Sequence, residues 1–185
     1  MNSRQVDLER PPNPAFQVYI RPARADDVDS IVQLSRPFVD EGLLRHRSAK
    51  VLSESVRDFQ VAVANDLVVA CIALGSCEGA ARILYNFAVA QSHQRRGLGG
   101  RMLIAVIEMA TQDAARVIYT ATTRTDGWFN HHAFQVTTMD AVPKAWMSSL
   151  DPARGSTLLV RDLSAHEVPE LADAHQQLVI PMGYV

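Results

Sequence analysis

Basic charge is not in excess in this chain. Eighteen Lys and Arg stand against twenty Asp and Glu, a formal net charge of -2. That balance excludes a nucleic-acid or membrane-surface role carried by bulk charge. Cysteine is scarce: Cys71 and Cys77 are the two in the sequence. Their spacing fits no zinc pattern, and two thiols make no disulfide framework. Cys71 lies in an apolar run, where a thiol packs as a small hydrophobe. No apolar stretch reaches membrane-spanning length. The opening MNSRQVDLERPPNP has no apolar segment, so it is not a secretory signal. These absences set the expectation of a cytoplasmic protein with no metal, no nucleic-acid partner and no membrane partner.

The common phosphate-binding motifs are missing as well. No G-x-G-x-x-G follows a strand, and there is no G-x-x-x-x-G-K-[ST]. Glycine amounts to nine residues in 185, yet three of them, Gly97, Gly99 and Gly100, fall in one short stretch. That stretch organises the chain. Ile83 to Val89 is apolar and reads as a buried strand. Gln94-Arg95-Arg96-Gly97-Leu98-Gly99 follows, and Met102, Leu103, Val106 and Ile107 then recur at helical spacing. Strand, glycine turn and helix in that order aim backbone N–H groups at one point, at the positive end of a helix dipole. A pyrophosphate suits such a site.

The remaining elements follow from period and punctuation. Residues 1–15 carry Pro11, Pro12 and Pro14 and read as an arm. Phe16 to Arg21 alternates as a first strand, and Asp26 or Asp27 caps a helix through Val28, Ile31, Val32 and Leu34 that Pro37 interrupts. Arg45-His46-Arg47 is a local basic group, and Ser53 to Val56 continues a short helix. Phe59 to Ala64 and Leu67 to Leu74 are strands joined by Asn65-Asp66, a hairpin signal. Later strands are Arg116 to Thr122, Phe134 to Thr137 and Ser156 to Leu163, with a short helix at Trp128-Phe129. Residues 164–185 read as an extension with a helix over Glu167 to Leu178. The order β-α-α-β-β-β-α-β-α-β-β predicts an α/β (α+β) domain over residues 16–163, built on one mixed sheet.

The Q-x-x-G-x-G run resembles the pyrophosphate loop of the Gcn5-related N-acetyltransferases (GNAT), and the element order matches their fold. Further segments resemble the acetyltransferase domain of bacterial N-acetylglutamate synthases. These are Gly42-Leu43-Leu44 with Arg47-Ser48, Ala70 to Leu74, Ala88-Val89, Thr122-Thr123-Arg124 with Trp128-Phe129, and Arg154 with Ser156 to Val160. The resemblance implies acetyl-CoA as donor, a small amino acid as acceptor with glutamate first, and a place in arginine biosynthesis. It implies that Phe87, Ala88 and Val89 meet the pantetheine and acyl carbonyl. It gives Gln94, Arg95, Arg96, Gly97, Leu98, Gly99 and Gly100 to the pyrophosphate, and Arg47, Arg154 and Ser156 to the acceptor's carboxylates. A guanidinium suits a carboxylate because it binds in a bidentate manner. The resemblance leaves a homodimer open.

Acyl transfer to an amine needs a deprotonated amine, proximity, a stabilised oxyanion and a protonated leaving thiolate. Thr122 matches a hydroxyl position of the synthases and is the candidate proton donor to sulfur. The general base is a departure: the synthases' glutamate position falls on Ile83, which holds no proton. Glu78, in the preceding turn, is the nearest carboxylate and the candidate base, with His46, His131 and His132 as alternatives. Two other readings stay open. The acceptor is a different amine, such as an amino-acid-like natural product or a protein N-terminus. Or the chain is a non-catalytic acyl-CoA-binding module.

Overall fold

The computed structural model describes residues 18–164. The predicted arm (residues 1–15) and the predicted helix Glu167 to Leu178 lie outside them. One seven-stranded sheet runs in the order β1-β2-β3-β4-β5-β7-β6. Its strands are β1 Tyr19–Pro22, β2 Phe59–Ala64, β3 Leu67–Ser76, β4 Ala81–Val89, β5 Val117–Thr122, β6 Gln135–Val136 and β7 Thr157–Asp162. The helices are α1 Val28–Asp40, α2 Ala49–Glu54, α3 Leu98–Gln112, α4 Asp126–Asn130 and α5 Lys144–Met147. Neighbours pair antiparallel except β4 and β5, which are parallel. α3 is the connection between those two, as a parallel pair requires.

Local chemistry accounts for these elements. β2 and β3 join through Asn65 and Asp66 at φ +48° and +62°. That is the left-handed pair of a two-residue hairpin, which Asn and Asp tolerate well. Asp27 opens α1: its carboxylate takes Arg21 in a bidentate pair at 2.7 and 2.9 Å and the Arg24 N–H at 2.7 Å. Hydrogen bonding from Arg21 holds the Asp27 carboxyl below the usual range. α1 runs through Pro37 rather than ending before it. Proline in a last turn removes one backbone bond, and the N–H groups of Leu43 and Leu44 return to the carbonyl of Phe38 to finish the helix.

The sheet carries a core on each face. One packs α3 on the sheet through Met102, Leu103 and Val106 against Ile72, Leu84 and Ile118. The other packs α1 and α2 on Phe59, Val61, Cys71 and Ala88. The switch of faces along β4 is made by a bulge. Tyr85 pairs with Ala73 and Ala88 with Cys71, so two β4 residues oppose Ile72 alone. Asn86, at φ +49°, is the bulged residue.

Candidate functional site

The sheet opens between β4 and β5. Their parallel ladder spans Ala81–Ile83 on β4 and Val117–Tyr119 on β5, then stops. At its end the buried Thr120 hydroxyl donates to the Leu84 carbonyl at 3.0 Å, satisfying the first β4 acceptor left without a strand partner. From Leu84 onward the β5 side of β4 faces a wedge. Two cavities, of about 640 and 690 Å³, flank it and share Leu43, Leu44, Leu84, Tyr85, Asn86 and Ala121 as walls.

The glycine loop borders the first cavity. Arg95 and Gly97 take φ +59° and +76°, and Gly97 caps α3. The first α3 bond closes from the Arg101 N–H to the Gly97 carbonyl at 3.2 Å. The N–H groups of Leu98, Gly99 and Gly100 precede it and point off the helix end, the geometry of an anion site. Gln94 closes the loop on its strand, its Nε2 donating to the Val89 carbonyl at 2.8 Å. Trp128 packs beside the loop, 5.6 Å from Phe87 and 4.3 Å from His132 between ring centroids. Burial between these groups lowers the pKa of His132, with Arg161 and His131 adding to the shift.

Of the residues assigned to the pyrophosphate and pantetheine, Phe87, Val89, Gln94, Arg95, Gly97, Gly99 and Gly100 line this cavity. Ala88 and Leu98 are buried in the two cores, so only their backbone groups are available to it. Arg96 is exposed and not among its walls. Thr122 lines the cavity at the end of β5. Its hydroxyl shares a 2.7 Å bond with Thr125 Oγ1 and accepts the Thr125 N–H at 3.2 Å.

Arg47, Arg154, Ser156 and Ile83 all line the second cavity. The two arginines, 107 positions apart in sequence, are thus brought to one cleft. Arg154 is tied to the loop after α1, donating from Nη2 to the carbonyls of Gly42 and Leu43 at 3.0 and 3.2 Å. Arg47 lies over the Tyr85 ring, its guanidinium carbon 4.7 Å from the centroid, and donates to Asn86 Oδ1 at 3.4 Å. Burial lowers its pKa, with Arg45 and Arg154 pushing the same way. Among the described residues the salt bridge present is Arg21–Asp27, so Arg47 has given up water without gaining a carboxylate.

Glu78 is not part of this site. It lines neither cavity, and its Oε1 accepts the Ala145 N–H at 3.1 Å at the start of α5. Proximity along the chain suggested it, but the turn before β4 and the wedge beside its later residues are at opposite ends of the strand. His46, His131 and His132 are also absent from both linings. Sequence reasoning missed three groups that are present: Asn86 beneath Arg47, Tyr85, and Asp58, which accepts the Tyr85 hydroxyl at 2.8 Å. Burial and the Asp58 hydrogen bond hold Tyr85 protonated far above its ordinary range.

Residues 56–136 match the family model of the acetyltransferase (GNAT) domain. The chain has the GNAT fold. An amino-acid acetyltransferase from Pseudomonas paraeruginosa is 29% identical over 145 residues, 78% of this chain and 34% of that protein. Another from Pseudomonas putida is 28% identical over 149 residues, 80% of this chain and 34% of its own length. The chain spans about a third of the length of the curated relatives it matches. The N-acetylglutamate synthase of Neisseria gonorrhoeae, solved with coenzyme A and N-acetyl-glutamate, superposes with a TM-score of 0.76 at 29% identity. That match covers 79% of this chain and 35% of the synthase. A Mycobacterium tuberculosis protein solved with CoA and NLQ gives a TM-score of 0.68 at 22% identity, over 78% of this chain and 99% of its own. It shows the GNAT fold alone. Among the described residues, no helix is long and apolar enough to cross a membrane, and no group of three His, Cys, Asp or Glu could hold a metal ion.

Proposed function

We propose that this GNAT domain transfers acetyl from acetyl-CoA to the α-amine of a small acidic amino acid, glutamate first, as an N-acetylglutamate synthase of arginine biosynthesis would. The observation that carries this reading is the meeting of Arg47 and Arg154 in one cleft that shares its walls with the cavity over the glycine loop. The loop fits the donor. Three leading N–H groups of α3 and the Arg95 side chain suit a pyrophosphate, and Phe87, Val89 and Trp128 suit an apolar pantetheine arm. The unpaired side of β4 beyond Leu84 offers backbone N–H groups for the oxyanion. Thr122, at the end of β5, is assigned the proton for the departing thiolate.

Incubation with acetyl-CoA and a panel of carboxylated amines, read as thiol release, tests this. Turnover with glutamate supports it, and no release with any carboxylated amine sinks it. Turnover with other amines alone moves the acceptor to the alternative that Ile83 favours. Donor binding without any turnover makes the domain a binding module. The loop carries its own prediction. Gly97 sits at φ +76° with open space around it, so Gly97→Ala is strained by its backbone and not by a clash. Forcing that conformation on alanine costs about 1–2 kcal/mol. A loop that relaxes to escape the strain misaligns its N–H groups, and acetyl-CoA should bind about tenfold more weakly by calorimetry.

A further inference from the structure

The acceptor arrives as an ammonium ion, and an ammonium has no lone pair to attack with. A group in the cleft must hold that charge and take a proton. The carboxylates lining the acceptor cavity are Glu54, Asp58 and Asp151. Glu54 and Asp151 are exposed. Asp58 is partly buried, at the entry to β2, and lines the acceptor cavity. Its Oδ2 accepts the Tyr85 hydroxyl at 2.8 Å, and Tyr85 lines both cavities. That bond leaves Oδ1 for the cleft. Tyr85 itself is held by its neighbours: Arg47 covers its ring, and Phe59 meets it edge-on at 5.7 Å. Gly75 makes room for the pair. A Cβ there would lie 3.2 Å from the Tyr85 ring and 3.3 Å from Asp58 Oδ2.

We propose that Asp58, held in place by Tyr85, receives the ammonium group of the acceptor and takes its proton. This rests on the acceptor reading above. With Arg47 and Arg154 across the same cleft, a zwitterion finds cations for its carboxylates and an anion for its nitrogen. The proton passes from nitrogen to the Asp58 carboxylate as the nitrogen lone pair forms the N–C bond to the thioester carbon. The C–S bond then breaks, the amine loses its second proton, and the thiolate takes one to leave as the thiol. Asp58 returns its proton to solvent, so the products are the amide, the thiol and one released proton. Tyr85 donates to Asp58 throughout and keeps its own proton; it is a positioning residue.

The test compares wild type with Asp58→Asn and Tyr85→Phe in the full chain. Two acceptors are used: L-glutamate and its aminooxy analogue, whose nitrogen is already unprotonated at neutral pH. Calorimetry on the CoA-bound protein adds glutarate, which has the two carboxylates and no amine. In Asp58→Asn, kcat/KM for glutamate should fall about 100-fold, in the range of general-base effects. The aminooxy acceptor should lose less than about threefold, since it needs no base. Glutamate should lose its binding advantage over glutarate, while glutarate binds as before. Tyr85→Phe should lower glutamate turnover about fivefold and spare the aminooxy acceptor. Wild-type turnover of glutamate in Asp58→Asn, or equal losses with both acceptors, overturns the assignment. If Asp58→Asn no longer binds acetyl-CoA, Tyr85→Phe decides by the same contrast. A wild-type protein that neither binds nor turns over glutamate fails the acceptor reading itself, which is a different result from an indifferent Asp58→Asn.

Discussion

Arg47→Met should raise the KM for glutamate about 1,000-fold while leaving acetyl-CoA affinity unchanged. Methionine keeps much of the aliphatic stem and removes the guanidinium. Arg47 is held by the face of Tyr85 and by Asn86 Oδ1, partly desolvated, and lacks a carboxylate among the described residues. Its desolvation is therefore met before the acceptor arrives, and the gain on binding a carboxylate is large. Truncating one partner of a buried, hydrogen-bonded charge pair costs about 2–5 kcal/mol. A value near the middle, about 4 kcal/mol, corresponds to the 1,000-fold loss. Arg47→Lys should lose about 30-fold, because an ammonium neither stacks on Tyr85 nor binds in a bidentate manner. Arg154→Ala should cost less than Arg47→Met, since Arg154 spends one nitrogen on the carbonyls of Gly42 and Leu43. Steady-state kinetics with glutamate varied at saturating acetyl-CoA checks all three. A KM for Arg47→Met within threefold of wild type would remove Arg47 from the acceptor site.

The glycine loop and the hairpin were legible because their signals are local. Asn65-Asp66 announces its turn, and Gln94 to Gly100 announces its loop and the start of α3, within a few adjacent residues. Pro37 misled for the opposite reason: a proline near a helix end is a weak stop when later N–H groups can close the last turn. Glu78 misled because distance along the chain stood in for distance in space. The second cavity draws Arg47, Asp58, Gly75, Tyr85, Arg154 and Ser156 from five separate segments, and only the sheet's register brings them together. Tyr85 faces that cleft because the bulge follows it rather than precedes it. No periodicity along the sequence shows a bulge, so the partners of Arg47 could not be read there.

The bulge is also where a single substitution should cost most in stability. Asn86→Val should destabilise the fold by about 2–5 kcal/mol and weaken the proposed acceptor site with it. Asn86 is buried and sits at φ +49°, a conformation asparagine tolerates and a β-branched residue does not. The strain alone is about 1–2 kcal/mol. The lost amide adds to it. Its Nδ2 donates to Ser35 Oγ at 3.0 Å and lies 3.7 Å from Cys71 Sγ, while its Oδ1 accepts from Arg47. Valine leaves the buried Ser35 hydroxyl without that partner, and an unsatisfied buried polar group costs about 1–3 kcal/mol. Cys71 cannot substitute as an anion, since burial pushes its thiol up to about 11. Asn86→Gly separates the two contributions, because glycine accepts the positive φ and loses only the amide. Urea unfolding followed by tryptophan fluorescence should place Asn86→Gly between wild type and Asn86→Val. The same two variants should raise the KM for glutamate together, since each frees Arg47 from its hydrogen bond. If Asn86→Val unfolds within about 1 kcal/mol of wild type, the bulge carries neither the strain nor the buried network assigned to it.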